Sequence, residues 1–105
     1  MASEAQRQLV DFLDRKAFEP VLRADPGRYP QGKRRKLEDV QQATRAEIDR
    51  FHHYRSAEEV VVNFKRDLSS SKAKQVHRDL DDLGLPTIEG CRDEFLKLAG
   101  QLGIQ

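Results

Sequence analysis

The sequence contains no tryptophan, only one cysteine, and no long apolar run. A single cysteine excludes a disulfide within the chain and is typical of a reducing compartment. Because no segment approaches the roughly 20 apolar residues of a membrane span, no membrane contact is expected. The first residues, MASEAQRQLVDF, also lack the apolar stretch of a signal peptide. These absences together predict a cytoplasmic protein.

Charged residues, by contrast, are abundant and unevenly placed. They form 35% of the 105 residues, yet the net charge is only +1, which gives no general attraction to nucleic acid or to an anionic membrane. Residues 1–55 carry 12 Lys and Arg against 9 Asp and Glu, whereas residues 56–105 carry 7 against 9. The first half is therefore positive and the second half negative.

Apolar residues recur every three or four positions, which is typical of amphipathic helices. Ser3 and Gln6 form a capping pattern that opens a first helix, and Pro20 predicts a break near residue 19. The segment ADPGRYPQG predicts a loop over about residues 23–32. A second helix is expected to start between residues 31 and 36 and to end near Tyr54.

Three more helices are predicted after residue 54. Ser56 and Glu59 form a second capping pattern, Gly84 is suited to a left-handed helix end, and Thr87 can cap the last helix. No strand-like alternation of useful length is present. The sequence therefore predicts an all-α fold, a compact single-domain bundle of four to five short helices that spans residues 1–105.

Two short motifs resemble functional sequences but lack their essential parts. VHRDL resembles the catalytic loop of protein kinases, but Gly84 stands where that loop needs a metal-binding asparagine five residues after Asp79. The GLP turn resembles that of a helix-turn-helix, but the helix after it begins TIEGCRDE, whose acidic residues would repel DNA. Neither resemblance supports a function.

The histidines and the cysteine do not form a recognisable site. Cys91 lies in the apolar stripe of its helix, so we expect a buried thiol with a raised pKa rather than a nucleophile paired with His77. His52 and His53 are adjacent and therefore point about 100° apart on a helix. We interpret FHHYRSAEE as a corner between helices, and we predict no metal and no cofactor. Among these residues only His52 remains a candidate functional residue, and only if a carboxylate of another helix lies beside it.

The strongest candidate for a binding site is the basic segment RYPQGKRRK. Such clusters bind phosphates or acidic protein surfaces, and an aromatic ring can stack on a base. A solvated start of the second helix is the alternative, with Arg34–Glu38 and Arg35–Asp39 as pairs along the helix. The candidate binding residues are Arg28, Tyr29, Lys33, Arg34, Arg35 and Lys36.

These observations favour a small, non-catalytic protein–protein interaction module. Its partner would be another protein or a second copy of the chain in a homodimer. One alternative is weak, sequence-tolerant binding of nucleic acid through Arg28–Lys36, although the near-zero net charge disfavours it. Another alternative is a small enzyme, which would need a cleft that holds His52 or His77 beside an acid.

Overall fold

Residues 3–104 are described by a computed structural model, and most of them are helical. The helices are α1 (Glu4–Leu13), α2 (Glu19–Arg23), α3 (Gln31–His52), α4 (Ala57–Ser69), α5 (Ser71–Asp82) and α6 (Arg92–Gln101). Short 3₁₀ turns, Pro26–Arg28 and Glu89–Cys91, precede α3 and α6. No strand occurs among these residues, so the predicted all-α single-domain bundle is confirmed.

Helices α1 and α2 form one rod, joined by the π-helical turn Asp14–Phe18. The backbone N–H of Glu19 bonds to the carbonyl of Asp14, five residues back. Pro20 has no N–H, and in a regular α-helix its ring would clash with the carbonyl four residues earlier. The wider turn ends at Phe18, two residues before the proline. The break predicted near residue 19 is therefore a π turn within a helix that continues to Arg23.

The predicted helix ends follow local side-chain chemistry. The hydroxyl oxygens of Ser3 and Ser56 accept bonds of 3.0 and 3.1 Å from N–H groups three residues later. At the end of α5, Gly84 has a φ of 71°, and the Leu85 N–H donates to the Leu80 carbonyl at 2.9 Å. This is the left-handed ending that the glycine predicts.

Helix α3 starts and ends within the predicted limits and has 22 residues, hence a length of about 33 Å. It begins at Gln31, so the loop before it covers only residues 24–30. Gln41 in its first half donates to the carbonyls of Val21 and Ala24, at 3.1 and 2.9 Å. These bonds satisfy carbonyls at the end of α2 and fix it to α3.

Buried apolar residues form two clusters that share α3. The larger cluster joins α1, the second half of α3, α4 and α6, and its fully buried aromatic residues are Phe51, Phe64 and Phe95. The smaller cluster joins α2, the first half of α3 and α5, and its buried members are Val21, Leu37, Val40, Leu80 and Leu83. The molecule is correspondingly elongated, measuring 45 × 24 × 19 Å.

Candidate functional site

A cleft of about 390 Å³ lies where the two apolar clusters meet, and we call it the central cleft. Its walls come from the π turn, α2, α3, the end of α4, α5 and the connection between α5 and α6. The apolar lining residues are Ala17, Phe18, Val21, Ala43, Ala46, Ala73, Val76, Leu80, Pro86 and Ile88. Ligand sites in proteins usually measure about 300–1,000 Å³ and have mostly apolar walls with a few polar groups.

A charged group also lines the cleft, formed by Glu47 and Arg50 of α3 and Asp67 of α4. We call it the carboxylate–arginine cluster. The Arg50 guanidinium lies 2.5 Å from a Glu47 oxygen and also donates to both oxygens of Asp67. Its Nη1 donates to the Tyr54 hydroxyl at 2.9 Å. Two carboxylates therefore share one guanidinium, close to the end of α4.

Glu47 has an unusual proton affinity in this cluster. Burial and, to a smaller extent, the neighbouring Asp67 raise the pKa of its carboxyl to about 7, although Arg50 acts in the opposite direction. The Glu47 side chain is 34% exposed, compared with 12% for Asp67. Glu47 therefore exchanges a proton near neutral pH, whereas an ordinary glutamate is fully ionised there.

His77 of α5 lines the same cleft as Glu47 and Asp67. Burial lowers its pKa, so its imidazole is neutral at pH 7. Among the hydrogen bonds of residues 3–104, none involves the His77 side chain. The structure thus brings a histidine and two acids into one cleft, but the acids contact Arg50 and not the imidazole.

His52 has the carboxylate neighbour that would give it functional interest. Its Nε2 lies 2.7 Å from Asp14 Oδ2, at the start of the π turn. Burial raises the pKa of Asp14, and its other oxygen is buried without a hydrogen-bond partner in the described part of the chain. His53 points outward and contacts the Asp49 carbonyl of its own helix at 2.6 Å. Neither His52 nor Asp14 lines the central cleft.

Part of the predicted basic site contacts the acidic end of α5. Lys33 and Lys36 lie 3.8 and 3.0 Å from Asp82 Oδ2, and Lys33 also donates to the Asp82 carbonyl at 3.2 Å. The Tyr29 hydroxyl donates to the Leu83 carbonyl at 2.9 Å. The hydrogen bond from Lys36 lowers the pKa of Asp82. The basic segment and the acidic end of α5 therefore contact each other within one molecule.

The three arginines of the segment are exposed. Arg35 pairs with Asp39 at 3.7 Å, as the helical spacing predicted. Arg34 Nε instead donates to the Tyr29 carbonyl at 3.2 Å, and no Arg34–Glu38 ion pair is present within residues 3–104. Arg28, Arg34 and Arg35 are thus the most exposed of the six candidate binding residues.

Cys91 is buried, and burial raises the pKa of its thiol to about 11, which suits an inert core residue. Over residues 3–104, no three His, Cys, Asp or Glu side chains are grouped so that they could hold a metal ion. No helix in this range combines the length and the apolarity needed to cross a membrane.

The sequence analysis missed the carboxylate–arginine cluster, although one signal was present. Phe64 lies four residues after Val60, and Asp67 lies three residues after Phe64, so Asp67 is on the buried stripe of α4. An acid in such a stripe needs a basic partner. Arg50 could not be identified as that partner from the sequence, because the two residues lie on different helices.

Comparisons of the chain with known protein families, curated proteins and solved structures found no match, so its function is inferred from its own residues.

Proposed function

We propose that the protein is a non-catalytic protein–protein interaction module whose contact surface is the central cleft. The supporting observation is the cleft itself, which combines apolar walls with the carboxylate–arginine cluster. Protein interfaces commonly have an apolar centre with a few oriented polar groups. A side chain of a partner could enter such a cleft and serve as an anchor.

The contacts within the cleft favour binding over catalysis. Both carboxylates already accept hydrogen bonds from Arg50, which restrains them as a structural link between α3 and α4. A general base must instead be free to reach the proton that it abstracts. The buried Cys91 thiol has too high a pKa to act as a nucleophile.

Site-specific photo-crosslinking in the source cells tests this proposal. A benzophenone amino acid would replace Ala73, which lines the cleft, or Val62, which is 52% exposed on α4 and lies outside the cleft. We expect a protein adduct from position 73 only, and its loss when Ala43→Phe fills the cleft. Circular dichroism would show that each variant is folded.

Adducts of equal yield from positions 73 and 62, or none from position 73, would contradict the proposal. An adduct with twice the mass of the chain would identify a second copy as the partner. Multi-angle light scattering of the purified protein would then give the oligomeric state independently.

A small enzyme is the second candidate, because the same cleft is lined by Glu47, with a pKa of about 7, and by a neutral His77. Groups that titrate near the working pH are suited to acid–base catalysis. Chromogenic ester and phosphoester substrates test this idea. Turnover that is lost in both Glu47→Gln and His77→Gln would support catalysis, whereas turnover unchanged by both substitutions would contradict it.

The nucleic-acid alternative uses the segment Arg28–Lys36, in which the three arginines are more exposed than Lys33 and Lys36. A titration with single- and double-stranded probes at low salt tests it. Replacing all three arginines with glutamine should abolish any binding, and unchanged binding would exclude this segment as the site.

A further inference from the structure

We propose that the central cleft receives the side chain of a lysine from the partner protein. The methylene chain would lie against the apolar walls, and the ammonium group would contact the carboxylates of Glu47 and Asp67 from the side that faces the cleft. This inference depends on the proposed interaction function and adds the chemistry of the group that the cleft recognises.

The charges of the carboxylate–arginine cluster provide the first argument. Glu47 and Asp67 together have two negative charges when ionised, but Arg50 supplies only one positive charge. No other Lys or Arg within residues 3–104 has a nitrogen within 4.0 Å of either carboxylate. An unbalanced charge in a partly buried site is unfavourable. A proton or a second cation must therefore balance it.

The proton affinity of Glu47 is consistent with this imbalance. Burial is the largest cause of its raised pKa, and the neighbouring Asp67 adds to it. A bound ammonium would replace the proton and leave the cluster neutral. The cleft would then bind a cation more tightly at a pH where Glu47 is ionised.

The walls of the cleft provide the second argument. Alanines on α3 and α5, with Val76 and Leu80, make an apolar surface beside the cluster. Lysine has an apolar, unbranched stem of four carbons that packs well on such surfaces. Its compact ammonium group can donate to two carboxylates at once. The planar fork of an arginine suits one carboxylate, and Asp67 already accepts such a fork from Arg50.

Other charged or titratable groups also face this position. Arg50 belongs to α3 and lies beside Tyr54, whereas Lys72 and the neutral His77 line the cleft from α5. Lys72 is exposed, and its amine is more than 4.0 Å from both carboxylates. Its positive charge opposes a second cation, so Lys72→Gln should strengthen the binding of an ammonium group by about two- to threefold.

Titrations of ¹⁵N-labelled protein with small probes test the recognition chemistry. Pentylamine has the alkyl chain and the cation, pentan-1-ol has only the chain, and methylamine has only the cation. We expect pentylamine to shift the amide signals of Ala73 and Val76 and to bind at least tenfold more tightly than either other probe. Its affinity should be several-fold higher at pH 8 than at pH 6, because protons compete for Glu47.

Protein variants and short peptides provide further tests of lysine recognition. Glu47→Gln should weaken pentylamine binding about tenfold, whereas the matched control Glu58→Gln, on the exposed side of α4, should leave it unchanged. A capped tripeptide with a central lysine should bind more tightly than the same peptide with norleucine at that position. The lysine peptide should also compete with formation of the adduct at position 73.

Equal affinity for pentylamine and pentan-1-ol would overturn the lysine inference, yet the cleft would remain an apolar contact surface. Unchanged binding in a folded Glu47→Gln variant would also overturn it. Amine binding without any protein adduct at position 73 would instead refute the proposed interaction function and leave a cleft for small amines. Failure of the lysine inference and failure of the proposed interaction function therefore give different experimental results.

Discussion

Arg50 is the residue on which most of the polar contacts near the cleft depend. Its guanidinium bonds to Glu47, Asp67 and Tyr54, and its charge lies 5.3 Å from the centre of the Phe51 ring. It therefore links the end of α3 to α4 and also sets the electrostatics of the cleft. A substitution here should affect both folding and proton binding.

Arg50→Met removes the guanidinium that the two carboxylates share. We expect a loss of about 2 kcal/mol in the free energy of unfolding at pH 8, because both acids then lack a partner in a partly exposed site. The loss should be smaller at pH 5, where Glu47 is protonated. Urea unfolding measures both values, and Arg45→Met, on an exposed part of α3, is the control. Equal losses for both substitutions would contradict this role of Arg50.

Glu47 should make the stability of the protein depend on pH. Its pKa is about 7 in the folded protein and close to its ordinary value of 4.5 in the unfolded chain. The folded state therefore binds more protons between these values, so the contribution of Glu47 to stability is greatest below pH 4.5, decreases as the pH rises from 4.5 to 7 and is lost above that range.

Glu47→Gln should remove this dependence. From pH 5 to pH 8 we expect the wild-type protein to lose about 1 kcal/mol more than the variant, a value reduced for the partial exposure of Glu47. Urea denaturation at the two pH values measures this difference. If the pH dependence of the variant matches that of the wild type, the pKa of Glu47 is not raised in the folded protein.

Several helix ends could be predicted from short sequence patterns alone. The serine caps and Gly84 act through bonds to residues three to five positions away, which a sequence pattern can reveal. The start of α3 was less certain, because basic residues in a first turn oppose the helix dipole. In the structure Lys33 and Lys36 approach Asp82, which is 46 or more positions away. Such a contact is absent from any local pattern.

Glycine substitutions test the helix ends. Gly84→Ala should destabilise the protein by about 1 kcal/mol, because φ is 71° there and a Cβ is unfavourable in that conformation. Gly100→Ala, inside α6 with no atom near the new Cβ, should stabilise it by about 0.5–1 kcal/mol. Thermal unfolding of both variants measures the difference. Changes of the same sign would contradict the left-handed ending.

At the scale of the whole molecule, the two apolar clusters differ in size. The smaller one has only five buried members, and α3 connects it to the larger one. The sequence predicted the apolar stripes but not their division, because the stripes do not reveal which helices are neighbours. For the same reason the cleft between the clusters could not be predicted.

The smaller cluster should unfold locally while the larger cluster stays folded. Leu37→Ala removes a fully buried side chain from it, and we expect a loss of about 2–4 kcal/mol in local stability. Amide hydrogen exchange should become faster in α5 and the first half of α3, while α4 and α6 change little. Phe64→Ala, in the larger cluster, is the comparison and should accelerate exchange throughout. Uniform acceleration by Leu37→Ala would show that the clusters unfold together.

The π turn Asp14–Phe18 also determines how many residues the first rod must contain. It holds one residue more than an α-helical turn of the same rise, so everything after it is rotated by about 100° relative to an uninterrupted α-helix. Removing one residue there would turn Val21 away from the smaller cluster. In this stretch of chain a deletion is therefore more disruptive than most substitutions.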